Sequence, residues 1–297
     1  MSGGYNLSVH IDADSFVLQD NGYNVVGDTG LGLSPLQRHE TRGAQQHGAT
    51  DRGRTLRPRN FVLQFKVDGQ TFRGYWDKRD ELVRVFKSTE SLFELRFTFQ
   101  NGDVRSIDCN AVGGLTYPSN RRSAFADRAS VEFRAPDPTW YDPNEQSETY
   151  GIGGGSDAFD IPLEIPWQIG ASTIDITKSI AYAGSWQTNP IIKIVGPITD
   201  CVITNLTTDE VLDFTGTTIG AGDYYEIDTR YGYKTVTDSS GVSQIADLTD
   251  DSDLGTFHLE PPVLNNASKD NDIQVTGSGV TEATEIFLRY KTRYLGI

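Results

Sequence analysis

The side chains that most often do chemistry are few or unsuitably spaced in this sequence. It contains four histidines, and none belongs to an HExxH motif or has another histidine four residues away. His39 and His47 would need a third partner to hold a metal ion. The nucleophile elbow GxSxG and the phosphate loop GxxxxGK[ST] do not occur. The sequence therefore predicts no catalytic residue, no metal ligand and no cofactor, and we expect that the protein is not an enzyme.

Carboxylates are abundant, and two clusters invite a ligand-binding interpretation. Asp223, Glu226 and Asp228 lie among four tyrosines in a segment that superficially resembles a sugar site. The segment 247–255 has four aspartates, but it lacks the spacing of a calcium-binding loop and is better explained as a solvated turn. Sugar binding without catalysis stays open as an alternative function. Its possible contacts are Trp186, Tyr224 and Tyr225.

The charge of the chain is unevenly distributed. The formal net charge is −15, and the first 145 residues have 18 Lys and Arg against 19 Asp and Glu, whereas the remainder has 8 against 22. This change supports a domain boundary, giving domains 1–145 and 146–297. An acidic second domain argues against binding to the phosphate backbone of nucleic acids, which requires basic side chains. Two cysteines in 297 residues indicate neither a disulfide framework nor a zinc site.

Hydrophobic periodicity predicts a protein that is mainly β. Apolar residues alternate with mostly polar ones over 61–67 and 93–99, which is the period of a strand. Between these strands, residues 76–88 have the spacing of an amphipathic helix, with Asp77 as the expected N-cap. We expect an N-terminal β-sandwich or split-barrel-like domain with one helix.

The second half has the pattern of short strands separated by Gly, Asn and Asp turns. Strand alternation is evident at 159–169, 174–182 and 286–294, which favours an antiparallel β-sandwich or jelly roll. A segment rich in Pro and Gly around 135–155 is typical of a linker. No secretory signal precedes these domains, and no apolar run approaches the roughly 18 residues of a membrane span, so we expect a soluble protein made in a cytoplasm.

A long polar segment, Ser34 to Asn60, interrupts the first domain. It has six arginines, two histidines and almost no apolar residue. Three interpretations stay open: a solvated loop, an arm that orders against a neighbouring subunit, and a nucleic-acid contact. Arginine suits interface ion pairs, whereas the segment lacks the aromatic residues that stack on bases. The candidate residues of an inter-subunit arm are Arg38, Arg42, Arg52, Arg54, Arg57 and Arg59.

Four motifs in the second half occur in a recognisable order. They are TNPIIKIVGP, NLTTDEVL, GDYYEIDT and DLGTFHL, and the first half adds LRPRNFVLQF and FRAPDPTWYDP. In this order they resemble the distal tail proteins of long-tailed bacteriophages, with Asp209 where that family has glycine. The matching residues are Pro190, Ile192, Ile194, Gly196 and Pro197, then Asn205, Thr207, Thr208, Glu210 and Leu212, then Gly222, Asp223, Ile227, Asp228 and Thr229, and finally Phe257 and Leu259.

The resemblance implies a fold and a function. The N-terminal domain would be related to tail-tube subunits and would close into a homo-hexameric ring, with the segment 34–60 as an arm reaching a neighbour. The C-terminal domain would be galectin-like. The protein would be a structural hub of the phage tail tip in the virion, made in the host cytoplasm. Its partners would be the tail tube protein, tail-associated hub, lysin or tape-measure components, and receptor-binding proteins, with the genome passing through the lumen without specific binding and without a membrane partner.

Overall fold

The computed structural model describes residues 5–11, 14–19, 22–87, 92–117, 125–151, 173–263 and 270–297. The chain forms two compact units, one of Met1–Pro143 with Tyr294–Ile297 and one of Asn144–Arg293. Within the described residues, the structure consists of strands, one α-helix and one short 3-10 turn. The prediction of a mainly β, antiparallel protein with one helix is confirmed.

The first unit is built on an antiparallel ladder. Its strand order is β2-β1-β7-β8-β9-β6-β3. A separate two-stranded sheet consists of β4 and β5. The elements are β1 (Tyr5–Ile11), β2 (Asp14–Val17), β3 (Tyr23–Thr29), β4 (Leu36–Thr41), β5 (Thr50–Leu56), β6 (Arg59–Asp68), α1 (Phe72–Val85), β7 (Phe93–Phe99), β8 (Val104–Thr116), β9 (Ala126–Ala135) and the start of β10 (Trp140–Gly151).

One long strand, β8, pairs with different neighbours along its length. Its first part pairs with β7 up to Cys109, and its second part pairs with β9 from Asn110. The second ladder skips two residues at Gly113 and Gly114, which have φ of +79° and +80°. Glycine adopts this left-handed conformation without a steric penalty, so the bulge forms there. The strand can therefore pair with β7 along its first part and with β9 along its second.

The core of the first unit follows the period of two read from the sequence. The inward residues of β6, from Phe61 to Val67, are at most 1% exposed. They meet aromatic rings from other strands, including Phe133, whose ring centroid is 5.2 Å from that of Phe61. Trp140 is fully buried, with its ring centroid 5.1 Å from that of Phe97. Stacked and edge-to-face aromatic pairs of this kind add to the stabilisation from buried apolar area.

The helix begins earlier than predicted. It spans Phe72–Val85, and its N-cap is Thr71, whose side chain accepts a 3.0 Å hydrogen bond from the backbone N–H of Gly74. Asp77 therefore lies inside the helix, and that part of the prediction is wrong. Ser88, the predicted last helical residue, lies outside the described residues.

The second unit contains two antiparallel sheets. Their strand orders are β16-β15-β12-β18 and β11-β17-β13-β14. One core cluster contains buried residues from both sheets, such as Ile194 and Ile203, so the sheets pack face to face. The predicted strand at 159–169 lies outside the described residues. The elements are β11 (Thr173–Ile180), β12 (Ile191–Val195), β13 (Ile198–Asn205), β14 (Glu210–Ile219), β15 (Tyr224–Asp228), β16 (Thr235–Asp238), the 3-10 turn Ile245–Asp247, β17 (Asn271–Ser278) and β18 (Glu285–Tyr294).

The turn between β13 and β14 explains one departure from the family motif. Asp209 has φ of +59°, a left-handed conformation that glycine adopts most readily and that Asp tolerates better than most residues. The aspartate thus occupies a position where the backbone favours the family's glycine.

Candidate inter-subunit surface

The Arg-rich segment forms a β-hairpin. Strands β4 and β5 pair antiparallel with each other, with Leu36 opposite Leu56 and Arg38 opposite Arg54. The ladder has an irregularity between Arg38 and Glu40. The backbone N–H of Arg57 donates to Pro35 O at 2.9 Å and closes the base of the hairpin. The segment therefore forms a regular two-stranded hairpin.

The hairpin is almost entirely exposed in the part of the chain that the structure describes. From Leu36 to Arg57 no residue is buried, and nearly all are exposed. Leu33, just before the hairpin, is 81% exposed, and Leu36 is 48% exposed. A two-stranded hairpin with solvent on both faces is marginally stable at best. The hairpin thus lacks the covering surface that a stable sheet needs.

Internal hydrogen bonds fix the shape of the hairpin while leaving its cations at the surface. The Nε–H of Arg42 donates to Gln46 O at 3.2 Å, and the Nε–H of Arg52 donates to Thr41 Oγ1 at 3.1 Å. His39 Nε2 and Thr55 Oγ1 are 2.9 Å apart across the strands. Most guanidinium N–H groups of these arginines remain available to a partner, since each guanidinium has five.

The charge distribution of the hairpin is unfavourable in isolation. Five arginines against Glu40 and Asp51 give residues 36–57 a formal charge of +3. Arg38 and Arg54 lie directly opposite each other, and like charges in that position destabilise a ladder. Asp51 offsets part of this with a 3.3 Å ion pair to Arg38, but both side chains are more than half exposed, so the pair contributes little. The arrangement favours a partner that offers carboxylates or aromatic rings.

Arg59, a predicted residue of the arm, does not belong to this exposed set. It is the first residue of β6 and its side chain is fully buried. All five guanidinium N–H groups donate to neutral oxygens at 2.6–2.9 Å. Burial lowers its pKa to about 10, so it remains charged at neutral pH. The acceptors are Pro138 O, Gly30 O, Gly32 O, Ser34 Oγ and Leu295 O.

The same region binds the residues that close the first unit, Tyr294–Ile297. Arg105 Nη1 donates to Gly296 O at 2.6 Å, and its guanidinium lies 4.0 Å from the ring centroid of Tyr294. The N–H of Ile297 donates to Leu31 O at 3.2 Å. Arg59 and Ile297 thus both form hydrogen bonds to residues 30–34, the segment that leads into the hairpin.

The candidate sugar contacts Tyr224 and Tyr225 are adjacent on β15 and point to opposite faces of the sheet. Tyr225 donates a 2.6 Å hydrogen bond to Asp247, and its ring centroid is 5.9 Å from that of Phe214. Burial, and then this hydrogen bond to the carboxylate, raise the pKa of Tyr225 to about 12. On the other face, Lys193 Nζ lies 3.7 Å from the Tyr224 ring centroid. The two rings therefore cannot stack on one sugar.

Trp186 lies far along the sheet from Tyr224. Val195 pairs with Tyr224 on one side and with Glu285 on the other, whereas Trp186 forms a bridge with Arg293. Glu285 and Arg293 are eight residues apart on β18, which is about 26 Å in an extended strand. The structure does not bring Trp186 together with the two tyrosines.

His258 and Asp253, two side chains of types that can bind a metal ion, have structural partners. His258 Nδ1 lies 3.1 Å from Glu210, and Asp253 accepts a 3.0 Å hydrogen bond from the backbone of Val211. Both cysteines are buried, and burial raises the pKa of Cys201 to about 12. Among the described residues, no group of three or more His, Cys, Asp or Glu could hold a metal ion. In the same part of the chain, no helix is long and apolar enough to span a membrane.

Comparison with known proteins identifies the segment that includes the hairpin and helix. Residues 18–135 match the family model of the phage tail protein RIFT-related domain. This segment is similar to a phage tail domain. It contains β3 to β9, so both the exposed hairpin and the buried Arg59 are part of it. A search of curated protein sequences gives no match.

The fold of the chain is similar to that of a phage tail protein of known structure. It is similar to the Dit protein (gp 19.1) of phage SPP1 at 14% identity, covering 97% of this chain and 98% of that one with a TM-score of 0.65. A chain in the baseplate of phage p2, in its activated conformation with strontium, matches at 12% identity, 97% and 98% coverage and a TM-score of 0.44. The phage tail domain and the SPP1 Dit fold confirm the resemblance stated from the sequence motifs.

We predict that Arg59→Met will destabilise the phage tail domain by about 3 kcal/mol or more, because buried acceptors lose their donors. The measurement is the free energy of unfolding from urea denaturation. Arg57→Met is the matched control, since Arg57 is exposed and surface changes usually stay within about 0.5 kcal/mol. Equal effects of the two changes would contradict the structural role of Arg59.

Limited trypsin digestion should cut the unassembled protein first after Arg42 and Arg52, because exposed hairpin positions open at little cost. Cleavage after Arg59 should follow only on global unfolding of the domain. Mass mapping of the early fragments checks the order. Early cleavage after Arg59 would show that its burial does not hold in solution.

Proposed function

We propose that this chain is a structural hub protein of a phage tail tip. It assembles as a homo-hexameric ring that joins the tail tube to the distal adsorption apparatus and lets the genome pass through its lumen. The SPP1 Dit protein, whose fold it shares, is described as a paradigm of the hub adsorption apparatus in phages that infect Gram-positive bacteria. The phage tail domain supports the same role. No catalytic step forms part of this function.

The observation that carries the proposal is the uncovered, Arg-rich hairpin. A ring requires two unlike surfaces on every subunit, so that one subunit's first surface meets its neighbour's second. The hairpin is ordered by its own hydrogen bonds and projects a formal charge of +3 from residues 36–57. Stabilisation of such an element by a neighbouring subunit accounts for both its exposure and its charge.

The remaining parts of the proposal concern partners and location. The ring would contact the tail tube protein on one side and tail-associated hub, lysin or tape-measure components and receptor-binding proteins on the other. The protein would be made in the host cytoplasm and become part of the virion. The acidic second half, with 8 Lys and Arg against 22 Asp and Glu, suits a protein that must not bind the passing DNA.

The proposal predicts a ring of about six times the 32.8 kDa subunit mass, visible by negative-stain microscopy with a central opening. Mass photometry and light scattering over a range of concentrations give the mass. The double change Arg38→Glu with Arg54→Glu should reduce the ring fraction strongly, since it reverses the charge of the hairpin.

The control for that experiment is Arg128→Glu with Arg134→Glu, two exposed arginines of β9 outside the hairpin, which should affect the ring less. A wild-type protein that stays monomeric both alone and with its tail tube protein would contradict the proposed function. A ring that survives hairpin charge reversal would contradict the role of the hairpin alone.

A further inference from the structure

The residues Tyr294–Ile297, which we call the strap, belong to the first unit although they follow the whole second unit in sequence. Strand β18 ends at Tyr294, and the three residues after it lie in no strand or helix. All four residues of the strap are half-buried, and the side chains of Tyr294 and Ile297 pack against the hydrophobic core of the first unit. The strap is therefore a docked segment and not a further strand of the sheet.

The strap lies directly on the segment that leads into the β4–β5 hairpin. The backbones of Gly296 and Gly32 approach so closely that a Cβ atom at position 296 would lie 2.7 Å from Gly32 O and 2.8 Å from Gly32 C. Contacts of a Cβ atom below 3.0 Å essentially never occur. Next to this contact, the backbone N–H of Ile297 donates to Leu31 O at 3.2 Å. The strap can therefore dock in this way only with glycine at position 296.

Two arginines of the first unit bind the carbonyl groups of the strap. Arg59 Nη2, from β6, donates to Leu295 O at 2.6 Å, and Arg105 Nη1, from β8, donates to Gly296 O at 2.6 Å. The guanidinium of Arg105 also lies 4.0 Å from the ring centroid of Tyr294. Hydrogen bonds from a charged donor are stronger than those between neutral groups. The position of the strap is thus set by two cations on different strands.

The strap is less firmly held than the strands beneath it. It is half-buried, whereas the inward residues Phe61, Leu63 and Phe65 of β6 are at most 1% exposed. An open cleft of about 390 Å³ borders the strap at Ile297 and Arg105. Half-exposed segments outside the ladders open at a lower free-energy cost than core strands. We therefore expect the strap to detach while the core of the first unit stays folded.

We infer that the strap is a conformational latch for the hairpin. When it is docked, it fixes residues 30–34, and when it detaches, it frees them and the base of the hairpin with them. Detachment removes one acceptor from the buried guanidinium of Arg59, which also donates to three oxygens of residues 30–34. The strap follows Arg293 with no intervening residue, so a displacement of that end of β18 is transmitted to the latch. The latch is a property of one subunit and does not depend on the proposed ring.

Hydrogen exchange followed by mass spectrometry tests the latch with two matched substitutions. Gly296→Ala adds a methyl group that the backbone of Gly32 excludes, so the amides of residues 30–36 and 294–297 should exchange about tenfold faster. Gly32→Ala is the control, because a Cβ atom at Gly32 meets no other atom within 4 Å, and it should leave exchange unchanged. In both variants β6 and β9 should keep their protection. All proteins are compared in the same oligomeric state, so failure of the ring proposal leaves this test intact.

Two results would overturn the latch. One is faster exchange in Gly296→Ala that is absent or confined to residues 294–297, since the hairpin base would then be independent of the strap. The other is an equal loss of protection in β6 and β9, since the opening would then be global. Arg105→Met removes the donor to Gly296 O and should open the same segments, with little further effect when it is combined with Gly296→Ala. Additive effects in the double variant would overturn the assignment of Arg105 to the latch.

Discussion

The buried guanidinium of Arg59 is the interaction on which the exposed surface of the phage tail domain depends. Removing a cation from water costs several kcal/mol unless its donors are satisfied. Here five neutral oxygens take all five N–H groups, at distances of 2.6–2.9 Å. Those oxygens come from the loop before the hairpin, from Pro138 and from Leu295. One side chain thereby fixes three segments that are remote in sequence, and the hairpin leaves the domain from that fixed point.

Part of this arrangement could be predicted from the sequence. The alternation through β6 gives the buried set from Phe61 to Val67, and Arg59 lies in phase with it, two residues before Phe61. That phase was a usable signal that Arg59 points inward. Its acceptors could not be predicted, because four of them are backbone carbonyls and carry no sequence pattern. The helix start was missed for a related reason, since the cap is a threonine side chain bonded to a glycine N–H.

The hairpin could not be recognised from the sequence because the described part of the chain covers neither of its faces. Strand prediction relies on one face being apolar and buried, whereas β4 and β5 expose both faces, so a long polar segment was all that the sequence showed. The candidate sugar contacts have suitable residue types, but the structure does not bring them together. Trp186 and Tyr224 have suitable side chains, but the register of β12 and β18 keeps them about 26 Å apart. The residue types are compatible with sugar binding, but strand pairing determines whether those residues lie close together.

The return of Tyr294–Ile297 to the first unit has a consequence for biosynthesis. The 150 residues of Asn144–Arg293 must be translated before Leu295 can accept its hydrogen bond from Arg59. At ordinary elongation rates this takes roughly 8–30 s. During that interval one Nη2–H of Arg59 lacks its Leu295 acceptor, whereas its other four acceptors have already been translated. The first unit therefore completes the hydrogen bonding of its buried guanidinium only after the whole second unit has been translated.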